Sequence, residues 1–390
     1  MKIIKKDGTV EGWNGEKIKE AVYKAAARVN QYVEPDVLNK LVEKVHSCLI
    51  IDRDAPTKDL HKEVIYYLKY FGLTDVANSY QEYRDYKNTY AKSFEKVKDE
   101  ADNVLLLGDR ENANFDSSLV STKGSLIKGY LTKELYRQFY LSKEEKELTK
   151  RGDIYIHDMR DMLMGSVNCC LFDIGNVLRG GFSMSNVDYT EPTSVLSALQ
   201  VIGDITLVAT AQQFGGFTLA EIDKVLLPYA KKTYDNAFKK YFEQCNMEYD
   251  ESCAMAMGDL RRELEQGFQS LELKLNTVPC SRGDFAFTTL TFGTWDIMMD
   301  DLDRDIMRMI GETILKTRMR GHGGKQVVFP KLVFLYDEDK IEADEDHKEL
   351  FELAVKCSSK CMYPDYLSLN HGKAADIYKR TGAITSPMGR

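Results

Sequence analysis

The run VVFPKLVFLY at 327–336 is apolar on both parities, the pattern of a strand covered on both faces rather than one that alternates between core and water. Such a strand needs a layer on each side, and helices usually supply it, so the run points to a parallel sheet inside an α/β domain. Pro330 marks an edge or a bulge, because proline has no N–H to give to a ladder. The surroundings fit: helix-like stretches at 193–211 and 220–242 alternate with β-rich runs at 285–292 and 327–336, the signature of an α/β fold.

Residues 1–95 read as a separate small module ahead of a second domain at 96–390. Ile3 and Ile4, then Val10 and Trp13, flank Lys6, Asp7 and Gly8; Asp-Gly between short apolar strands signals a β-hairpin, since both turn residues tolerate positive φ. Asn14 can cap a helix carrying Ile18, Val22, Ala25 and Val29, and Leu38, Leu41, Val45 and Leu49 repeat the helical spacing. Thr57 caps a third helix ending at Gly72, and Asp75 precedes a fourth through Tyr80, Tyr83 and Arg84. Lys5 and Lys6 beside a tight glycine turn either meet a phosphate or belong to a solvated surface hairpin.

The net charge of −8 and pI near 5.5 give no broad cationic field for a polyanionic backbone, so nucleic acid is not an expected partner. No run approaches the ~18 apolar residues of a membrane helix and none resembles a signal core, so the chain is expected in the cytoplasm, away from membranes. The eight cysteines are scattered rather than densely spaced, and most are expected to be reduced thiols. Cys357 and Cys361 share a helical face without a second pair to complete a zinc site; no metal ligands are assigned. The loop GHGGK at 321–325 is either a phosphate contact or a plain turn.

The segment GDIYIHD at 152–158, followed by VNCC at 167–170, puts a histidine and two thiols close together beside expected strand. A thiol in such a place is either reactive or simply apolar filling. If the segment is extended, Cys169 and Cys170 face opposite sides.

Taken in order, KKDG at 5–8, NAN at 112–114, GDIYIHD at 152–158, NC at 168–169, GFSM at 181–184, FPKLVF at 329–334, MYPD at 362–365 and TGAITSPMG at 381–389 resemble the anaerobic (class III) ribonucleoside-triphosphate reductases along essentially the whole chain. The resemblance implies an ATP-cone in the first module, a regulatory domain that reads ATP against dATP, with Lys5, Lys6, Asp7, Gly8 and Lys17 as its nucleotide contacts. It implies that the remainder is the opening portion of a glycyl-radical-type α/β barrel. The reaction implied is removal of the ribose 2′ hydroxyl of ribonucleoside triphosphates by radical chemistry. A glycyl radical made by a radical-SAM activating enzyme generates a thiyl, formate supplies reducing equivalents, and the enzyme is a homodimer.

By the Asn-Cys context, Cys169 matches the family's second catalytic cysteine, on the opposite face of the sugar from the thiyl. Sulfur suits this task because S–H bonds are weak, and an ordinary thiol near pKa 8.5 stays protonated at neutral pH. His157 either positions ribose hydroxyls or formate, or is a histidine hydrogen-bonded within the barrel. Asn168 either bonds the sugar or satisfies backbone, and Phe292 either walls the pocket or fills core. Met388 and Gly389 belong to the substrate loop. In the family that loop continues with Cys-Arg, whereas here Gly389 is followed by Arg390. The thiyl cysteine, the glycyl-radical loop and the four-cysteine zinc site are not in this sequence, so this polypeptide is expected not to reduce nucleotides by itself. The alternative expectation is a non-catalytic protein that senses ATP and dATP through its cone.

Overall fold

The computed structural model describes residues 2–5, 8–49, 54–106, 116–165, 167–184, 186–213, 215–280 and 283–387, in two compact units, Met1–Asp99 and Glu100–Arg390.

In the first unit β1 (Lys2–Ile4) and β2 (Val10–Gly12) form the antiparallel hairpin, with Gly8 at φ +81° in its turn. A third strand, β3 (Asp54–Pro56), joins β1 in parallel. Three residues including a proline carry no strand signal of their own, and the sheet-edge position is what tolerates Pro56. The helices are α1 (Gly15–Arg28), α2 (Pro35–Leu49), α3 (Thr57–Tyr70) and α4 (Thr74–Leu106). Asn14 caps α1 through its side chain, accepting from the Glu16 amide at 3.0 Å. Thr57 does not cap α3: its hydroxyl donates to the Ile4 carbonyl at 2.8 Å, tying α3 to β1. Val22, Leu41, Val45, Val64, Leu68 and Val76 form a dry core, as the three- and four-residue spacings require.

The second unit opens with α5 (Val120–Phe139) and α6 (Lys143–Arg151), the latter held by a capping box at Ser142 and Glu145 and ended by Gly152 in the left-handed conformation. There follow β4 (Cys170–Phe172), α7 (Ile174–Leu178), the hairpin of β5 (Phe182–Met184) with β6 (Val187–Tyr189), α8 (Val195–Thr210), β7 (Phe217–Leu219), α9 (Ile222–Lys239), α10 (Tyr249–Thr277), β8 (Thr288–Phe292), α11 (Asp301–Arg320), β9 (Lys331–Tyr336), α12 (Glu338–Ala343), α13 (Glu345–Cys361), β10 (Asp365–Ser368) and α14 (Lys373–Thr381). Five strands pair in parallel in the order β4-β7-β8-β9-β10, one sweep without reversal, with β4 and β10 at the edges. The double-parity apolar run is β9, the fourth strand of this sweep; Pro330 sits just ahead of it, joined by a cis bond to Phe329.

Register divides the sheet into two unlike faces. Leu219, Leu290, Phe292, Leu332 and Phe334 point into a core built with α8, α9, α10, α11 and α13. Thr218, Thr289, Thr291 and Val333 point the other way. The threonines are fully buried, so the second face is covered too. Part of its cover is the chain's own C-terminal segment, since the Thr218 hydroxyl donates to the Pro387 carbonyl at 2.9 Å and the Thr291 and Ser386 hydroxyls meet at 3.3 Å.

Where α9 begins, Asp223 is 1% exposed and accepts from the Gly293 amide at 2.8 Å, pinning the helix start to the end of β8. Burial pushes its carboxyl up to about 6 from 3.8, against the pull of that hydrogen bond and of Lys224. The native state therefore keeps a proton that the unfolded chain releases between these two values. Its stabilising contribution is complete below the unfolded pKa and is lost as pH rises through about 6. Chemical denaturation of the wild type and Asp223→Asn is expected to show the difference between them shifting against the wild type by about 2–3 kcal/mol from pH 4 to pH 7. A difference that does not move with pH would remove the buried carboxyl from the account.

Candidate functional site

In the first unit, α1, the start of α3 and α4 enclose a cavity of ≈ 830 Å³, within the range of sites that hold drug-sized ligands. Its lining includes Lys5, Lys17, Lys24, Arg28, Arg84 and Lys87, six cations, with Tyr80 and Tyr83 as an aromatic wall. Lys17 binds Glu11 at 2.8 Å, and Lys5 binds the same carboxylate, which holds Glu11 below the usual carboxylate range. Arg28 stacks on the Tyr83 ring at 4.1 Å, and His61 Nδ1 lies 2.6 Å from the Tyr80 hydroxyl. Cations around an aromatic wall suit a ligand with a flat ring at one end and several negative charges at the other.

Of the residues expected here, Lys5 and Lys17 meet in the cavity lining. Gly8 supplies the hairpin turn, while Lys6 and Asp7 lie outside the described residues. The larger part of the lining was missed: Lys24, Arg28, Thr57, His61, Tyr80, Tyr83, Arg84 and Lys87. Lys17, Lys24 and Arg28 on α1, and Tyr80, Arg84 and Lys87 on α4, recur at three, four and seven residues. That spacing was readable for basic residues as it was for apolar ones.

In the second unit Cys170 opens edge strand β4 and Cys169 immediately precedes it. The Cys170 Sγ donates to Gln213 Oε1 at 2.9 Å, and burial and neighbouring Cys169 push its thiol up. Cys169, one residue earlier, takes the opposite parity, the one shared by Leu171 and, across the register, Thr218. Its sulfur accepts from the Gly216 amide at 3.1 Å and reaches the Asn168 side-chain oxygen at 3.4 Å. Gly215 makes this fit possible, since a Cβ there would stand 2.4 Å from the Cys169 sulfur and 2.2 Å from Asn168 Oδ1. Gln213, 3% exposed, secures the loop by donating to the Gly215 and Gly216 carbonyls at 3.1 and 2.8 Å. Cys169 is thus a half-buried thiol held from two sides, on the parity of the face that the Ser386–Pro387 stretch crosses.

His157 is not on a strand. The loop after Gly152 leaves Ile154 and Tyr155 exposed, Asp158 adopts φ +50°, and His157 is exposed beside Asp158 at 2.5 Å and edge-on to Tyr155. Among the described residues no hydrogen bond joins His157 to Cys169. Asn168 is exposed apart from its contact with the thiol. Phe292 is fully buried against Phe334 on the helix-covered face, a core position turned away from Thr291. Met388 and Gly389 lie outside the described residues. In the glycine loop at 321–325, His322 and Lys325 exchange both backbone hydrogen bonds across Gly323 and Gly324, closing a tight turn. Among the described residues no cluster of three or more His, Cys, Asp or Glu is placed to hold a metal, and no helix is long and apolar enough to cross a membrane.

The family described as anaerobic ribonucleoside-triphosphate reductase matches residues 111–389, and the ATP cone domain matches residues 1–89. The anaerobic ribonucleoside-triphosphate reductase of Escherichia coli is 30% identical over 400 residues, covering 99% of this chain and 53% of that protein. The protein of the same name from Enterobacteria phage T4 is 33% identical over 286 residues, 72% of this chain and 44% of its own length. The chain thus spans about half the length of the curated relatives it matches. A crystal structure of the Thermotoga maritima anaerobic ribonucleotide reductase with dATP and CTP superposes with a TM-score of 0.42 at 14% identity, over 94% of this chain and 52% of that one.

Proposed function

Because the chain belongs to the anaerobic ribonucleoside-triphosphate reductase family, with an ATP cone domain at its start, we propose that it supplies the effector domain and one half of the substrate site of such a reductase. Its job would be the reduction of ribonucleoside triphosphates to deoxyribonucleotides. The parallel sheet would form one side of the family's barrel, with the face carrying Thr218, Thr289 and Thr291 turned inward. The single observation that carries the reading is the seating of Cys169: a thiol on the inward parity, held by the Gly216 amide and Asn168.

In this reading the Gly216 amide fixes the sulfur and the Asn168 oxygen orients its hydrogen, so the thiol meets the sugar already aligned. Cys169 gives hydrogen and electrons to the ribose as the 2′ hydroxyl leaves as water, and formate, oxidised to carbon dioxide, is the overall reductant. The family's glycyl radical would supply the unpaired electron. His157, on an exposed loop, remains a candidate for the formate side. The activating enzyme and a second copy of the chain are the partners proposed, and the cytoplasm is the proposed compartment.

The cone cavity would take ATP and dATP as effectors, the base against Tyr80 and Tyr83 and the phosphates among the cations. Isothermal titration of the whole chain with ATP and with dATP is expected to give saturable heats for both. In Lys17→Glu, which reverses one of the six charges and crowds Glu11, affinity is expected to fall by about tenfold or more. No heat with either nucleotide would remove the effector reading, leaving the thiol site untouched.

A further inference from the structure

The Cys170 thiol has no part in the reaction proposed for Cys169, yet a chain of hydrogen bonds leads from it to the Cys169 sulfur. Cys170 Sγ donates to Gln213 Oε1 at 2.9 Å, and Gln213 Nε2 donates to the Gly215 and Gly216 carbonyls at 3.1 and 2.8 Å. The Gly216 carbonyl accepts from the Cys170 amide as well, at 3.0 Å, while the Gly216 amide donates to the Cys169 sulfur at 3.1 Å. The peptide groups that seat the sulfur are therefore held from behind by one side chain. These bonds also fix which way round the Gln213 amide lies. Two carbonyls demand its NH2 end, so its oxygen is left for Cys170, and the thiol there must be protonated to donate. Burial and neighbouring Cys169 push that thiol up, which keeps the proton on it. Gln213 is 3% exposed, so water offers little competition for its bonds.

We propose that Gln213 is a positioning residue for the reaction at Cys169, holding the Gly216 amide on the sulfur, and that Cys170 is the protonated thiol that locks the Gln213 amide in place. The inference rests on the reading of Cys169 as the reacting thiol. It gives the adjacent cysteines unequal duties: Cys169 meets the sugar, and Cys170 remains a thiol so that its neighbour stays aligned. A sulfur displaced by about 1 Å from its working position is enough to slow a reaction severely, and the Gln213 bonds oppose that displacement.

The first test uses the whole chain and needs no turnover. Each cysteine is labelled with iodoacetamide and its rate followed by peptide mass spectrometry in the wild type, Cys170→Ser, Cys170→Ala and Gln213→Met. Gln213→Met keeps the length of the side chain and loses the amide, and is expected to speed Cys169 labelling by about tenfold or more, because the half-buried sulfur is no longer tied down. Cys170→Ala is expected to fall between Gln213→Met and Cys170→Ser, which keeps a donor for Gln213 and should lie nearest the wild type. Buried Cys280 and Cys357 report on the fold. If they speed up in step with Cys169, Gln213 merely supports the structure and the assignment is overturned. Unchanged Cys169 labelling in Gln213→Met overturns it too. The second test is kinetic, in an activated reductase that joins this chain to the remaining half of the family's sequence. There Gln213→Met is expected to lower kcat by about 10- to 100-fold with KM for the ribonucleotide within about threefold, as for a group that acts on alignment rather than on binding. An unchanged kcat, or a loss carried by KM alone, would overturn the assignment. A joined wild type with no turnover would overturn the reading of Cys169 as the reacting thiol instead, whichever way the labelling falls.

Discussion

Glu272→Ala is expected to destabilise the second unit by about 3–5 kcal/mol, the largest stability effect of a single substitution considered. Glu272 on α10 is 4% exposed, and its two oxygens take Arg318 Nε at 2.8 Å and His322 Nε2 at 3.0 Å. Arg318 is fully buried, donates also to the Pro330 carbonyl at 2.5 Å, and keeps Nη1 without a hydrogen-bond partner among the described residues. Removing the carboxylate leaves a buried cation with a carbonyl as its remaining strong partner, and the desolvation already incurred is no longer offset. The consequence extends to the sheet, because the same contacts hold the Phe329–Pro330 entry to β9, where Asn276 also accepts from the Val328 and Phe329 amides at 3.2 and 3.0 Å. Urea unfolding would measure the loss. Replacing both partners together, Glu272→Met with Arg318→Met, is expected to recover much of it, since an apolar pair of similar volume needs no compensation. A loss under about 1 kcal/mol in Glu272→Ala would show that the ion pair is not what holds the β9 entry.

Much of this architecture was legible in the chain because local chemistry and tertiary role agreed. The apolar run of β9 became an inner strand of the sheet, and the spacing from Ile18 to Leu49 became the buried faces of α1 and α2. What escaped depended on partners far away in sequence. β3 exists because β1 offers it an edge, and α4 runs on to Leu106 through a polar stretch with no breaker, where apolar periodicity is weak. The alternation of Ile154, Tyr155 and Ile156 imitated a strand, yet the left-handed Gly152 before it and the positive φ of Asp158 after it make it a loop. At the candidate sites the same division holds. That Cys169 and Cys170 take different partners, Gly216 for one and Gln213 for the other, is in keeping with the alternation an extended chain imposes. The Gly215–Gly216 seat for the sulfur arises from packing between separated segments, which no local pattern encodes.

The second large effect concerns chemistry. Cys169→Ser keeps the shape of the side chain and its place beside Gly216 and Asn168, but an O–H bond is too strong to give up hydrogen to a sugar radical, and oxygen does not carry the electrons that sulfur does. The substitution should therefore leave binding intact and remove the reaction. Thr218, Thr291 and the Ser386–Pro387 stretch support this reading, since they bring the chain's C-terminal segment across the face whose parity Cys169 shares. The direct measurement is anaerobic conversion of ribonucleoside triphosphate to deoxynucleotide by an activated reductase that carries this segment joined to the remaining half of the family's sequence. Wild type is compared with Cys169→Ser, and ATP binding is titrated on the same samples. The expected result is unchanged ATP binding with turnover lowered by roughly a thousandfold or more, the scale of a lost reacting group. Turnover within a few fold of wild type would contradict the account at its centre, because the thiol beside Gly216 would then be a packing residue and the reaction would run without it.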